Sequence, residues 1–256
     1  MEILKSRYLL TLALAPAVLL FFYIRKKDKI EAEPMKLLLG LAGLGAVSTI
    51  FAGVYESVLI APFDSILGGK GLFYNIITNF FIIAVAEEGV KFLVLYLMTW
   101  WSKEYNYTFD AVVYAVSVSL GFAALENILY VFNGGFAVAI LRAFTSIPGH
   151  TIFAVYMGYY YGVAKKFSSM KDHLKAVLCL ALALISPIMI HGFYDFCLGM
   201  GNPIMIIVFF AFDITITILA FFKVNRLSKY DTPIFQYQNN NISNTQNINN
   251  NTNIYQ

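Results

Sequence analysis

The sequence predicts an all-α, polytopic integral membrane protein with about seven transmembrane helices, and three observations predict it. Of its 256 residues, 59% are hydrophobic and 13% are charged, about half the charged share of a soluble domain. The mean hydropathy is +0.68. Apolar runs near the length a bilayer demands, about 20 residues, recur along the chain between short polar stretches.

Seven spans follow in order: 8–24, 37–60, 79–101, 110–132, 138–163, 176–198 and 203–222. The first has Lys5 and Arg7 before it, as a secretory signal would. No small-x-small cleavage site follows Ile24, and the chain runs straight into "RKKDK". That is a stop-transfer flank, so the segment reads as an uncleaved anchor. Residues 72–78, "LFYNIIT", read as an interfacial lead-in to the third span. In the fifth, Pro148 and Gly149 precede His150 and are expected to loosen the helix there. The stretch "YMGYYYG" (156–162) reads as an aromatic belt at the membrane interface. Cys179 and Cys197 both fall in the sixth span, where they cannot bridge each other, and are expected as core fillers. Beyond Asp231 the chain is Asn-rich and cannot bury a core, which predicts a disordered cytoplasmic tail.

This divides the chain into 1–71, carrying helices one and two; 72–198, a core bundle; 199–230, the seventh helix with a basic flank; and 231–256, the tail. Of the eighteen Lys and Arg, thirteen follow spans one, three, five and seven, and only Lys5, Arg7 and Lys70 lie on the opposite side. The asymmetry places the N-terminus outside and the C-terminus in the cytoplasm. The basic residues thus read as topology determinants with affinity for anionic lipid, and the net charge of +3 gives no reason to expect a nucleic-acid partner.

Against this oily background the intramembrane polar residues stand out. Glu87, Glu88 and Lys91 fall in span three, Glu126 and Asn127 in span four, Arg142 and His150 in span five, His191 and Asp195 in span six. Each ionisable group costs about 2.5–3.5 kcal/mol near a span centre, so such residues face the bundle interior, pair, and mark a working site. Lys91 lies i+4 from Glu87 and i+3 from Glu88, within reach of either on one helix face, and His191 and Asp195 are likewise i,i+4. At 1.5 Å per residue, Glu126 and His191 fall roughly 10 Å from the outer ends of their spans, Glu87 roughly 12 Å, and His150 roughly 18 Å. Each pair alone has a structural reading: ion-pair glue for the Glu-Glu-x-x-Lys cluster, one satisfied hydrogen bond for His191 and Asp195, charge neutralisation for Arg142. Convergence of four helices on one outer layer favours a site. Glu56 and Asp213 lie outside the cluster and read as structural.

"EEGVK" (87–91), "FDAVVYAVSVSLGFAALENILY" (109–130), "RAFTSIPGHTIFAVYMGYYYG" (142–162) and "HGFYDF" (191–196) together resemble the PrsW family of intramembrane proteases. That family carries, in this order, E-E-x-x-K, F-x-x-x-E, a helix with a lone histidine, and H-x-x-x-D, and the likeness covers about residues 72 to 198. The related CAAX prenyl protease and bacteriocin-processing superfamily usually has E-E-x-x-x-R and a second motif ending in histidine or asparagine. Lys91 and Glu126 place this chain on the PrsW side. The resemblance implies hydrolysis of peptide bonds in membrane-anchored protein substrates near the outer leaflet, a transmembrane anti-sigma factor being the family's type of substrate (site-1 cleavage). It makes Glu87, Glu88, Glu126, His150 and His191 the expected catalytic set, supported by Lys91, Asn127, Asp195 and Arg142.

Two chemistries fit these residues. In one, His150, His191 and a carboxylate, Glu126 or Asp195, hold zinc, and Glu87 or Glu88 is the general base; the family's classification leans this way. In the other no metal is needed: a buried glutamate takes the water proton, a histidine orients the water, and Asn127 donates to the oxyanion. Glu87 is the favoured base and Glu88 the favoured partner of Lys91. The alternative class is a proton-coupled transporter using the same Glu and His cluster. The absence of inverted repeats and the single depth of the cluster weigh against it. A retinal-type sensor is disfavoured because span seven holds no lysine.

Overall fold

The structure is a computed structural model that describes residues 2–235. A chain with no water around it must satisfy its backbone amides internally, and here the apolar runs do so as helices. In order these are α1 (Glu2–Lys27), α2 (Met35–Leu67), α3 (Leu72–Ile76), α4 (Ala84–Thr99), α5 (Asp110–Phe144), α6 (Ser146–Ser169), α7 (His173–Gly199) and α8 (Pro203–Lys229). A π-helical stretch, Ile77–Ile83, joins α3 to α4 without a break, so residues 72–99 form one interrupted rod. The fold is all-α, as expected; among the described residues the one strand-like contact is the isolated pair Tyr107 and Pro233.

Burial shows which helices lie inside. Windows of α1, α2, α7 and α8 are 22–33% buried, whereas the α5–α6 segment is 72% buried. The outer helices therefore turn rows of Leu, Ile, Val and Phe outward, and α5 and α6 form the centre. Glycine lets these rods touch. A Cβ at Gly121 would meet the Ala42 carbonyl oxygen at 1.9 Å, and one at Gly45 would meet that of Val118 at 2.0 Å, so α2 and α5 cross with their backbones in contact. Gly158 and Gly162 do the same for α6 against the start of α5. "YMGYYYG" is therefore in part a packing motif: Tyr161 is fully buried, bonded to Thr99 Oγ1 at 3.0 Å and stacked on Tyr105.

The gap expected between spans four and five, 133–137, contains Gly135 (φ 73°, ψ −158°), which interrupts α5; the chain folds back there, so that Arg142 meets Glu126 at 2.8 Å. A second break, at Thr145, separates Phe144 from α6. Pro148 sits in the first turn of α6, where the missing N–H would lack an intrahelical partner anyway, so it loosens nothing. His150 lies one turn into α6, 2.9 Å from Glu126, so the two share one depth. Neither cysteine is bridged, and Cys197 is buried.

After α8 the chain docks on the loop between α4 and α5. Ile234 N donates to Asn106 O (2.8 Å), Thr108 N to Thr232 O (3.1 Å), and the Asp231 carboxylate accepts from Phe109 N (2.8 Å). The disorder expected of the Asn-rich tail concerns, from residue 236 onward, sequence outside the described residues.

Candidate active site

The site begins with one turn of α4. Glu87, Glu88 and Lys91 are 6%, 0% and 1% exposed, so none meets bulk water. Their helical spacing lets Lys91 Nζ reach Glu87 Oε2 at 3.0 Å and Glu88 Oε1 at 2.8 Å. The ammonium also lies 3.1 Å from His150 Nδ1 and 4.0 Å from the centre of the Phe122 ring. An ammonium can only donate, so His150 Nδ1 must accept. His150 Nε2 then carries the proton and donates to Glu126 Oε2 at 2.9 Å. Arg142 Nη2 lies 2.8 Å from the same Glu126 oxygen.

The second histidine follows a parallel logic. His191 Nε2 lies 3.1 Å from Asp195 Oδ2, one helical turn away, and Nδ1 lies 3.0 Å from Glu88 Oε1. A protonated ring donates to both carboxylates, whereas a neutral ring with Nε2–H on Asp195 turns its Nδ1 lone pair toward Glu88 Oε1. The Phe153 ring stacks on the imidazole, centroids 4.7 Å apart, and fixes its plane.

These groups border one cavity of about 610 Å³. Glu87, Glu126, His150, His191 and Asp195 line it, as does Arg142. The α4, α5, α6 and α7 groups named by the sequence are thus brought together. Glu88 and Lys91 lie behind the wall, bonded to residues that form it.

Two expectations change. Asn127 does not face the cavity: it is fully buried, its amide donates to Ala13 O of α1 (2.8 Å), and its carbonyl accepts from Arg142 Nε (2.8 Å). It is a brace for Arg142, not an oxyanion donor. The expected zinc set of His150, His191 and Glu126 does not bring its ligand atoms within 4.8 Å of one another, and His150 is engaged by Lys91 and Glu126. The ligand atoms that come within 4.8 Å of one another belong to Glu87, Glu88 and His191.

This second set fits a metal ion. Two carboxylates and an imidazole are donors that zinc accepts, and three protein ligands leave a position open. Glu88 Oε2 is buried without a hydrogen-bond partner, a coordination site the protein leaves unused. The Asp195–His191 pair is the kind of carboxylate brace that fixes a ligating imidazole.

Sequence reasoning missed Glu56. It projects from α2 into the same cavity, with no ion-pair partner among the described residues. Its place about 6 Å from the outer end of span two was the available signal. Asp213 is buried on α8 away from the cavity walls.

Comparison with known proteins gives consistent matches. The model of the family described as "PrsW family intramembrane metalloprotease" matches residues 33–222. The chain is 34% identical to a "Protease PrsW" of Oceanobacillus iheyensis over 86% of this chain and 96% of that protein. It is 34% identical to one of Clostridioides difficile (87% and 91%) and 33% identical to one of Bacillus subtilis (74% and 82%). No solved structure matches.

Proposed function

Because this chain belongs to the PrsW family of intramembrane metalloproteases and is accordingly an endopeptidase of the membrane, we propose that the cavity between α4, α5, α6 and α7 is where it cuts its protein substrates. The observation that carries this reading is the convergence of Glu87, Glu126, His150 and His191 on one cavity in an otherwise apolar bundle. The family membership removes the ground for the transporter alternative.

In this reading Glu87, Glu88 and His191 hold a zinc ion. When bound, zinc supplies a Lewis acid that polarises the scissile carbonyl and acidifies a water. Lys91 keeps the paired carboxylates together by offsetting their mutual repulsion, and Asp195 fixes the His191 tautomer. Glu126 takes the proton of the attacking water and passes it to the leaving amine, a task for which the His150 Nε2–H and Arg142 hold its carboxylate still. The roles expected of Glu126 and Glu87 are thereby exchanged. A metal-free route has one observation in its favour: Lys91 already places a cation between Glu87 and Glu88. Chelation separates the two.

We further propose cleavage near the outer leaflet of a bacterial membrane, with the N-terminus outside and a transmembrane anti-sigma factor as the type of substrate. The charge asymmetry of the loops supports the orientation. Co-expression with a tagged single-span substrate tests the whole reading. Glu87→Gln, Glu88→Gln, Glu126→Gln and His191→Ala should each abolish the fragment; its persistence in all four would refute it.

A further inference from the structure

At the end of the bundle away from the cavity, a second group of acids comes together from three parts of the chain. Asp28 follows α1, Glu33 precedes α2, and Asp110 opens α5, about 24 Å along that helix from Glu126 at 1.5 Å per residue. All three are buried, at 7%, 2% and 0% exposure, and one oxygen of each lies within 4.8 Å of the others. The protein satisfies some of their oxygens. Asp28 Oδ2 accepts from Glu33 N (3.1 Å), Glu33 Oε2 from the Tyr114 hydroxyl (2.6 Å), and Asp110 Oδ2 from Asn106 N and Tyr107 N (3.0 and 2.7 Å).

What remains is the informative part. Asp28 Oδ1 and Asp110 Oδ1 are enclosed with no hydrogen-bond partner among the described residues. No Lys, Arg or His there pairs with any of the three carboxylates. Buried acceptors are seldom left unmatched, and buried charges are paired or bind metal. Three buried carboxyl groups thus meet here with two oxygens unmatched and, among the described residues, no Lys, Arg or His in contact.

We propose that Asp28, Glu33 and Asp110 form a structural site for a hard divalent cation, magnesium or calcium, which ties the turn between α1 and α2 to the start of α5. An all-oxygen donor set of carboxylates selects these ions, whereas the imidazole-containing set in the cavity suits zinc. The site is distinct in place and chemistry from the proposed catalytic centre, and does not depend on that centre being correct.

The test uses the full chain purified in detergent, stripped with EDTA, and titrated separately with MgCl₂ and CaCl₂ by calorimetry and thermal unfolding. Wild type and Glu88→Gln, which damages the cavity set, should each bind one cation and gain several degrees in Tm. Asp28→Asn and Glu33→Gln should bind at least tenfold more weakly and lose the gain. In EDTA they should unfold no earlier than wild type, since each removes one of three crowded like charges. Two variants keep the test open should one fail to fold. No binding by wild type at millimolar cation, undiminished binding by both variants, or loss of binding in Glu88→Gln would each overturn the assignment.

Discussion

Replacing Lys91 by methionine probes the site most directly, because methionine keeps the length of the side chain and removes only the ammonium. In the native protein that ammonium contacts Glu87 at 3.0 Å, Glu88 at 2.8 Å and His150 at 3.1 Å, and Lys91 is 1% exposed. Without it, two buried carboxylates face each other and His150 Nδ1 loses its donor. Breaking a buried ion pair from one side costs about 3–5 kcal/mol. For a chain of this size each kcal/mol moves Tm by about 2–4 °C, so the expected fall is on the order of 10 °C. Circular dichroism on detergent-solubilised protein would measure it. A double-mutant cycle sharpens the test. Glu88→Gln removes one of the orphaned charges, so the double variant should lose less than the sum of the singles, by about 1–3 kcal/mol. A Tm within about 2 °C of wild type for Lys91→Met, or strictly additive losses, would show that the ammonium is not the counter-charge of this pair.

Other substitutions separate the remaining roles. Glu126→Gln should lower cleavage of a tagged substrate about 10²–10⁴-fold with the fold retained, as expected for a lost general base; Asn127→Ala, which only loosens Arg142, should lose much less. Equal losses in a fragment assay would contradict that division. Asp195→Asn should weaken metal binding about 10–100-fold, so that its activity fails at limiting zinc and returns at saturating zinc; a deficit that zinc cannot rescue would argue against a positioning role. Gly121→Ala must push a methyl to within 1.9 Å of the Ala42 carbonyl oxygen, an overpacking expected to cost about 1–3 kcal/mol. Gly43→Ala, two positions before Gly45 and with open space around it, should be neutral or stabilising by up to about 1 kcal/mol. A thermal melt that ranks the two glycines the other way would refute the proposed α2–α5 contact.

The helical spacing of Glu87, Glu88 and Lys91 on one face was legible because a period of 3.6 residues fixes neighbours within a rod. So was the pairing of His191 with Asp195. The partners chosen between rods were not: nothing in the spacing says that Lys91 reaches His150, yet that contact decides which imidazole nitrogen carries the proton and hence which histidine can ligate. Hydropathy marked both rods of the α5–α6 segment and the gap between them that holds Gly135. The second break, at Thr145, lies where composition suggests continuous apolar chain, whereas Pro148, a stronger breaker on paper, is harmless in a first turn. Glu56 was passed over because it stands alone in its span, with no neighbour at i+3 or i+4 to advertise it.

One contact ties the leading helix to the site. The Asn127 amide donates to the carbonyl of Ala13 in α1, and the Asn127 carbonyl accepts from Arg142, although the family model matches only from residue 33. A chain trimmed to residues 33–222 would keep the residues proposed for the reaction centre and lose this brace of the Arg142 guanidinium. Such a trimmed chain should therefore lose at least as much cleavage as Asn127→Ala.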